Sequence, residues 1–104
     1  MTDLTSKEWQ DQIAKDPKAF IIDVRTPEEI EEGIIPTAIN IDVTDPQAFM
    51  EGIESLDTNK NLYVYCRSGR RSVQACLILE QQGFDTTYNL LGGMLEWDGE
   101  IVQP

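Results

Sequence analysis

The 104-residue sequence contains no histidine, only two cysteines, and eight basic residues against nineteen acidic ones. Without an imidazole group, a Cys–His nucleophile pair and the usual serine triads are excluded. Two cysteines without histidine also fall short of the usual ligand set of a zinc site. We therefore expect neither a metal nor another cofactor. Any reactive side chain must be activated by backbone dipoles or by arginines.

Charge and hydrophobicity narrow the range of partners. A net charge of −11 makes nucleic acid and anionic membrane surfaces poor partners. No apolar run approaches the roughly 18 residues that span a bilayer, and the first residues lack the basic and apolar pattern of a leader peptide. The interpretation is one cytoplasmic domain, residues 1–104, that binds neither nucleic acid nor membrane. We expect a monomer or a weak dimer.

Apolar runs and helix-period stripes alternate along the chain. Strands are predicted at residues 20–24, 39–41, 62–65 and 86–90. Helices are predicted at residues 6–15, 27–33, 46–55 and 71–82, with a further short helix after Gly93. This alternation predicts an α/β domain with a parallel sheet, right-handed crossovers and helices on both faces. The residues after Gly99 are expected to be loosely held.

The junction after the third predicted strand is the part of the sequence that indicates a functional site. An apolar run at residues 62–65 ends at Cys66, a polar loop with one glycine follows, and an amphipathic helix begins. In open α/β sheets, ligands bind at this end of the strands. Successive loop N–H groups and the helix N-terminus favour an anion there. The thiolate of Cys66 is the nearest candidate for that anion.

The neighbours of this cysteine indicate chemistry. Three of the eight basic residues, Arg67, Arg70 and Arg71, lie within five positions of it. Gly69 lets the backbone approach a ligand, and Ser72 offers a hydroxyl at the helix start. A cysteine at a strand end is by itself most simply a core residue. With these neighbours it predicts a reactive thiolate, whose sulfur has to be both ionised and reachable.

The second cysteine, Cys76, is predicted to be inert. It falls inside the helix on an apolar side together with Val73, Leu77 and Leu79. A disulfide between Cys76 and Cys66 is sterically poor, because Cys76 lies more than a turn inside the helix. We interpret Cys76 as a core residue.

Three segments of the sequence resemble the signatures of single-domain rhodaneses, the sulfurtransferase family. Residues 20–41 are similar to the N-terminal signature, residues 64–72 to the active-site loop, and residues 89–97 to the C-terminal signature. The match covers nearly the whole chain in the right order. It implies one rhodanese-like domain with a mostly parallel five-stranded sheet and helices on both faces.

The resemblance also implies an activity. Cys66 would take a sulfane sulfur from thiosulfate or a similar donor, hold it as a persulfide, and pass it to cyanide, a thiol or a sulfur carrier protein. Arg67 and Arg70 would bind the sulfonate end of the donor, whereas Arg71 would face solvent. The residues that would bind the persulfide are Arg67, Ser68, Gly69, Arg70, Arg71 and Ser72.

Four positions outside the loop bear on the resemblance. It implies that Asp23 lies near the active site and that Arg25 pairs with Glu29. The sequence departs from the family pattern at Ile34, where histidine is usual, and at Thr37, where glycine is usual. Both belong to a structural turn, so we expect altered loop packing, with a role in recognition left open.

Two other function classes stay open. Cys-x₅-Arg phosphatases place arginine where Ser72 stands, and the related cell-cycle phosphatases and arsenate reductases have a loop one residue longer. Loop length therefore disfavours phosphatase or arsenate reductase activity. The other class is a non-catalytic or sulfide-sensing binding module, which is disfavoured because inactive members of such folds usually lose the cysteine that this sequence keeps.

Overall fold

One sheet and the helices around it are described for the whole chain, residues 1–104, by the computed structural model. The strands are β1 Thr2–Leu4, β2 Ala19–Asp23, β3 Ile39–Asn40, β4 Asn61–Tyr65 and β5 Thr87–Leu90. The helices are α1 Ser6–Ile13, α2 Pro27–Ile30, α3 Pro46–Glu54, α4 Arg70–Gln81 and a 3₁₀ helix, Gly93–Glu96.

The five strands form a single sheet in the order β1-β5-β4-β2-β3, and every pairing in it is parallel. The predicted α/β class and parallel sheet are confirmed. The sequence pattern located four of these strands and missed β1. Its three residues include only one buried apolar side chain, Leu4, and that is too little for a recognisable apolar run.

Side chains alternate across β4 and divide the core between the two faces of the sheet. Leu62 and Val64 are fully buried on the side covered by α3 and α4. Tyr63 and Tyr65 point the other way and pack with Trp9 of α1. Helices therefore cover both faces, as predicted. Cys66, the residue after β4, continues the Leu62 side.

The helices begin where their caps predict. Thr5 with Glu8 and Thr26 with Glu29 form complete capping boxes at α1 and α2. Asp45 caps α3, since its side chain accepts the N–H of Ala48. None of the helices has the length and apolar content that a membrane crossing requires.

The C-terminal residues are tied down, so the expectation of a loose tail after Gly99 is wrong. Ile34 and Val102 exchange backbone hydrogen bonds of 2.8 and 2.9 Å. The indole N–H of Trp97 donates to the carbonyl of Glu100 at 3.0 Å. A single bridge between two distant backbone segments leaves no periodic pattern in a sequence, which is why it was not foreseen.

Candidate active site

Cys66 follows β4 directly, and N–H groups of its own loop surround its sulfur. The N–H of Gly69 donates to Sγ at 3.1 Å and that of Ser72 at 3.4 Å, while the Ser72 hydroxyl oxygen lies 3.3 Å from Sγ. Gly69 caps α4 with a φ of 98°, a left-handed conformation that suits glycine. Because this cap starts α4 at Arg70, the amide of Ser72 lies in the first turn and has no acceptor within the helix.

These contacts act against burial on the ionisation of Cys66. Burial alone raises the pKa of the thiol, whereas the contact with the Ser72 hydroxyl, in which either atom can be the donor, and the hydrogen bonds from the N–H groups of Ser72 and Gly69 lower it. The hydrogen bonds prevail and hold the pKa of Cys66 below its ordinary value. The structure contains no group of three or more cysteine, aspartate or glutamate side chains that could hold a metal ion.

The sulfur is less accessible than the sequence-based hypothesis requires. Cys66 is 0 % exposed and belongs to the apolar cluster between the sheet and the helices α3 and α4. A donor molecule reaches Sγ only after the loop, or the side chains over it, move. The requirement for a reachable thiol is therefore not met in this conformation, in which the loop amides close directly onto the sulfur.

The 3₁₀ helix fixes the start of the cysteine loop. Gly93 packs so closely on the backbone of Cys66 and Arg67 that a side chain at this position overlaps both. The next two residues, Met94 and Leu95, donate their N–H groups to the carbonyls of Cys66 and Arg67 at 3.0 and 3.1 Å. The C-terminal segment thus holds the main chain on which the sulfur is mounted.

The three loop arginines divide into two free side chains and one paired side chain. Arg67 and Arg70 are exposed, and neither forms an ion pair. Arg71 instead binds both carboxylate oxygens of Glu29, at 2.6 and 2.8 Å. The hydrogen bonds from Arg71 lower the pKa of Glu29 to about 2. The expectation that Arg71 faces solvent is wrong, because a bidentate carboxylate partner lies within its reach.

Asp23 and Arg25 form a buried ion pair beyond the end of β2. The Nη2 of Arg25 lies 2.6 Å from Asp23 Oδ2, and its Nε lies 3.0 Å from both carboxylate oxygens. The same guanidinium donates to the carbonyls of Glu29 and Gly33 at 3.2 and 2.7 Å. The implied Arg25–Glu29 ion pair is therefore wrong. The guanidinium of Arg25 forms its ion pair with the buried carboxylate of Asp23, and it contacts Glu29 only through the backbone carbonyl.

A cavity of about 230 Å³ lies next to the cysteine loop. Arg25 and Arg67 line it together with Leu95 and Ile101. This places Arg25 beside the loop, with Asp23 behind it. The apolar side chains on the rim are 63 % exposed at Leu95 and 48 % exposed at Ile101. Glu32 also lines the cavity, so it joins the unpaired Arg67, the paired Arg25 and one carboxylate to an apolar edge.

The two departures from the family pattern differ in their structural effect. Thr37 has a φ of 71°, in the left-handed region where a β-branched residue is strained and glycine is favoured. Ile34 keeps ordinary backbone geometry and forms the bridge to Val102. Of the two departures, Thr37 alone has a backbone in the left-handed region.

Cys76 lies in the core, as predicted. It is fully buried, and burial raises its pKa to about 12. Both cysteines are free. Leu77, expected on the same apolar side, is 54 % exposed. At about 3.6 residues per turn it lies some 100° around α4 from Cys76, and Ala75 and Leu79 take the inward positions.

The Ser72 hydroxyl continues into two residues that sequence reasoning missed. Ser72 Oγ donates to Oδ1 of Asn89 at 2.5 Å, and Nδ2 of Asn89 donates to Oδ1 of Asp3 at 3.0 Å. Asn89 and Asp3 are register partners in β5 and β1. Asp3 lies in the strand that the pattern did not reveal, and Asn89 lies in the predicted strand at residues 86–90, where nothing indicated its contact with Ser72.

The parallel sheet, with a cysteine loop between its central strand and the next helix, defines a rhodanese-like fold. A family model described as the rhodanese-like domain matches residues 6–100. The chain belongs to this family.

Named relatives extend the match over nearly the full chain. The Bacillus subtilis protein named "Putative sulfurtransferase YtwF" is 40% identical over 98 residues, which are 94% of this chain and 91% of that protein. An Allochromatium vinosum protein named "Sulfurtransferase" is 32% identical over 97 residues, 93% of this chain and 88% of that protein. The Bacillus subtilis "Putative sulfur carrier protein YrkF" is 30% identical over 98 residues, 94% of this chain but 51% of its own length.

A solved structure agrees with the fold in detail. The crystal structure of a rhodanese-like domain protein from Staphylococcus aureus superimposes with a TM-score of 0.86 at 30% sequence identity. The superposition covers 100% of this chain and 99% of that one. Fold class and family membership therefore rest on the sequence and on the structure alike.

Proposed function

We propose that this chain transfers a sulfane sulfur from thiosulfate or a similar donor to a thiophilic acceptor, through a persulfide on Cys66. Family membership and the relatives named sulfurtransferase support sulfur transfer in general. The single observation that carries the finer proposal is the Cys66 sulfur itself, which accepts N–H groups from Gly69 and Ser72 at the start of α4.

The first half-reaction forms the persulfide. The Cys66 thiolate attacks the outer sulfur of thiosulfate, a new S–S bond forms to Sγ, and the old S–S bond breaks. Sulfite leaves with the electron pair of that bond, so no oxidant or reductant is consumed. The loop N–H groups stabilise the terminal persulfide anion in the way that an oxyanion hole stabilises developing charge.

The second half-reaction returns the thiolate. Cyanide or a thiolate attacks the terminal sulfur, and the electron pair of the Cys66 S–S bond goes back to Sγ. The products are thiocyanate or a new persulfide, together with the enzyme in its starting form. No proton has to be moved by the protein in either step, which fits a site without histidine.

Arg67 and Arg70 suit the donor. Both guanidinium groups are exposed and free of carboxylate partners, on a protein whose net charge is −11. They therefore provide local positive charge for a sulfonate at the mouth of the loop. Arg71 contributes indirectly, because its pairing with Glu29 ties the start of α4 to α2.

The acceptor is proposed to bind at the cavity next to the loop. Arg67, which has no carboxylate partner, and the apolar Leu95 and Ile101 suit a thiol with an anionic group and an apolar part, or the end of a carrier protein, beside the carboxylate of Glu32. The relative named as a sulfur carrier protein supports the second possibility.

One observation favours a second function. Cys66 is 0 % exposed, which suits a non-catalytic binding module whose thiol meets no substrate. A catalytic role requires the loop to open far enough to admit one additional sulfur atom next to Sγ. Sulfur uptake therefore separates the two functions directly.

The test is to incubate the protein with thiosulfate and measure its mass. We expect one added sulfur atom on the unaltered chain and on Cys76→Ser, but none on Cys66→Ser, because Cys76 is a buried thiol with a raised pKa and no backbone N–H donors. Thiocyanate formation from cyanide should follow the same pattern. Absence of an adduct with every sulfane donor tried would reject sulfur transfer and leave the binding module.

A further inference from the structure

One hydroxyl proton has two possible acceptors in this site. Ser72 Oγ lies 3.3 Å from the Cys66 sulfur on one side and 2.5 Å from Oδ1 of Asn89 on the other. Ser72 and Asn89 are both buried, so water does not replace a missing partner. A serine hydroxyl carries a single hydrogen and cannot donate to both at once.

Asp3 sets the direction of the hydrogen bonds that run from Ser72 through Asn89. The carboxylate of Asp3 accepts hydrogen bonds and cannot donate them when ionised. Nδ2 of Asn89, which lies 3.0 Å from Asp3 Oδ1, must therefore face Asp3. The amide group of Asn89 then presents Oδ1 to Ser72, and the Ser72 proton satisfies this buried oxygen.

When the Cys66 thiol is protonated, each of these buried groups has a hydrogen-bond partner. With an S–H on Cys66, hydrogen bonds run in one direction from Cys66 to Ser72, from Ser72 to Asn89 and from Asn89 to Asp3. With a thiolate, the Ser72 hydroxyl either stays on Asn89 and leaves the sulfur with its backbone donors alone, or turns to the sulfur and leaves Asn89 Oδ1 buried without a donor. Either choice costs one hydrogen bond.

We propose that Asp3 and Asn89 are positioning residues, which hold the Ser72 hydroxyl proton away from the Cys66 sulfur and so restrain formation of the thiolate. Their role in sulfur transfer rests on the proposed function of Cys66, but their effect on the thiol does not. Neither residue touches the sulfur. Both act through Ser72.

Other charges near the thiol are accounted for separately. The Arg71 guanidinium interacts electrostatically with Cys66 and is itself paired with Glu29. Arg67 and Arg70 flank the loop and are exposed. None of these side chains contacts Asn89 or Asp3 through a hydrogen bond, so changes at Asp3 and Asn89 leave them in place.

The experiment measures the pKa of Cys66 from its ultraviolet thiolate absorbance, with Cys66→Ser as the baseline. In Asp3→Asn the amide at position 3 can donate to Asn89. All the hydrogen bonds between position 3 and Cys66 can then reverse their direction, and the Ser72 hydroxyl can donate its proton to the thiolate. In Asn89→Ala the competing acceptor is gone while every charge remains. We expect the pKa of Cys66 to fall by about half to one unit in both variants.

Asp11→Asn is the matched control for net charge. Asp11 is exposed on α1 and forms no side-chain hydrogen bond or ion pair, so this change should leave the pKa of Cys66 unaltered. If Asn89→Ala does not fold, the Asp3→Asn shift is compared at low and high salt. A hydrogen-bond effect persists at high salt, whereas loss of a distant charge is screened.

The proposal and a mere loosening of the loop predict shifts of opposite sign in the pKa of Cys66. Loosening of the loop would remove the Gly69 and Ser72 amides from the sulfur and raise the pKa, so a rise in either variant overturns the proposal. An unchanged pKa in Asp3→Asn overturns it as well, and so does a fall that vanishes at high salt. If the thiol shifts as expected but no sulfur is taken up from thiosulfate, the proposed function fails and the positioning role stands.

Discussion

Cys66 and Cys76 are ten positions apart, and both are completely buried. The pKa values of their thiols nevertheless shift in opposite directions. That of Cys66 lies below the ordinary value, and that of Cys76 is raised to about 12. The sulfur of Cys66 receives two backbone N–H groups from its loop. The sulfur of Cys76 receives no backbone N–H group, and its neighbours are the carbonyl oxygen of Tyr88, at 4.0 Å, and the side chain of Thr87.

The contrast shows that burial by itself does not decide whether a thiol is reactive. Burial disfavours both thiolates, and the difference comes from the groups that surround each sulfur. A position within a helix offers a side chain no free N–H groups, because the backbone of the helix uses them. A position before the first turn of a helix offers several. The loop, and not the amino acid, separates the two cysteines.

Alkylation at neutral pH gives the largest expected difference. A cysteine of ordinary pKa, about 8.5, is already about a thousandfold more ionised at pH 7 than a thiol whose pKa is about 12, and the lower nucleophilicity of the more acidic thiolate offsets about half of this on a logarithmic scale. We expect iodoacetamide to modify Cys66 at least about 30-fold faster than Cys76 in the native protein, as measured by peptide mass spectrometry. Equal rates would mean that opening of the fold, and not thiolate formation, controls both sites.

A methyl group at position 93 should weaken the contrast by displacing the Cys66 loop. Gly93→Ala places a side chain into the backbone of Cys66 and Arg67. We expect a loss of about 2–4 kcal/mol in the free energy of unfolding and a raised pKa of Cys66, read from the pH dependence of its alkylation, because the displaced loop withdraws its N–H groups from the sulfur. Denaturant titration and the alkylation assay measure the two effects.

Gly83→Ala is the control for this variant. Gly83 also has a positive φ, 99°, but nothing lies within 4 Å of the position that a side chain would take. Only the conformational cost remains, about 1–2 kcal/mol, and the pKa of Cys66 should be unchanged. A rise of this pKa in Gly83→Ala as large as that in Gly93→Ala would show that stability, and not the local overlap, controls the loop.

The smallest effect on the two thiols is expected from Thr37→Gly. Thr37 is held at a φ of 71°, and glycine removes this strain at the cost of a more flexible unfolded chain. The net gain is about 0.5–1 kcal/mol in the free energy of unfolding. Neither cysteine should change its alkylation rate. A destabilised Thr37→Gly would indicate that the threonine side chain contributes packing that outweighs the strain.

Much of the fold was predictable, because it is written in local patterns. The apolar runs of β2 and β4 and the caps at Thr5, Thr26 and Asp45 were recognised, and the structure confirms them. Strand β1 was not recognised, because a short edge strand with a single buried side chain carries little hydrophobic signal. The bridge between Ile34 and Val102 was missed because a single pairing of two distant segments leaves no periodic pattern.

The site was predictable in its residues and less so in its contacts. The order of Cys66, Gly69 and Ser72 along the chain indicated a ring of N–H groups, since a strand, a short loop and a helix start have few alternative geometries. The partners of Arg71 and Arg25 were assigned wrongly. Long side chains reach several neighbours, and which carboxylate they bind depends on residues brought together from distant parts of the chain.

The sequence by itself determined the parallel α/β architecture, the family and the cysteine at the head of a helix, because each depends on neighbours within a few positions. Only the tertiary structure decided that Glu29 binds Arg71, that Cys66 has no exposed surface, and that Ser72 connects through Asn89 to Asp3. These features join residues far apart in the chain. Local sequence patterns carry no information about which distant groups meet when the sheet is assembled.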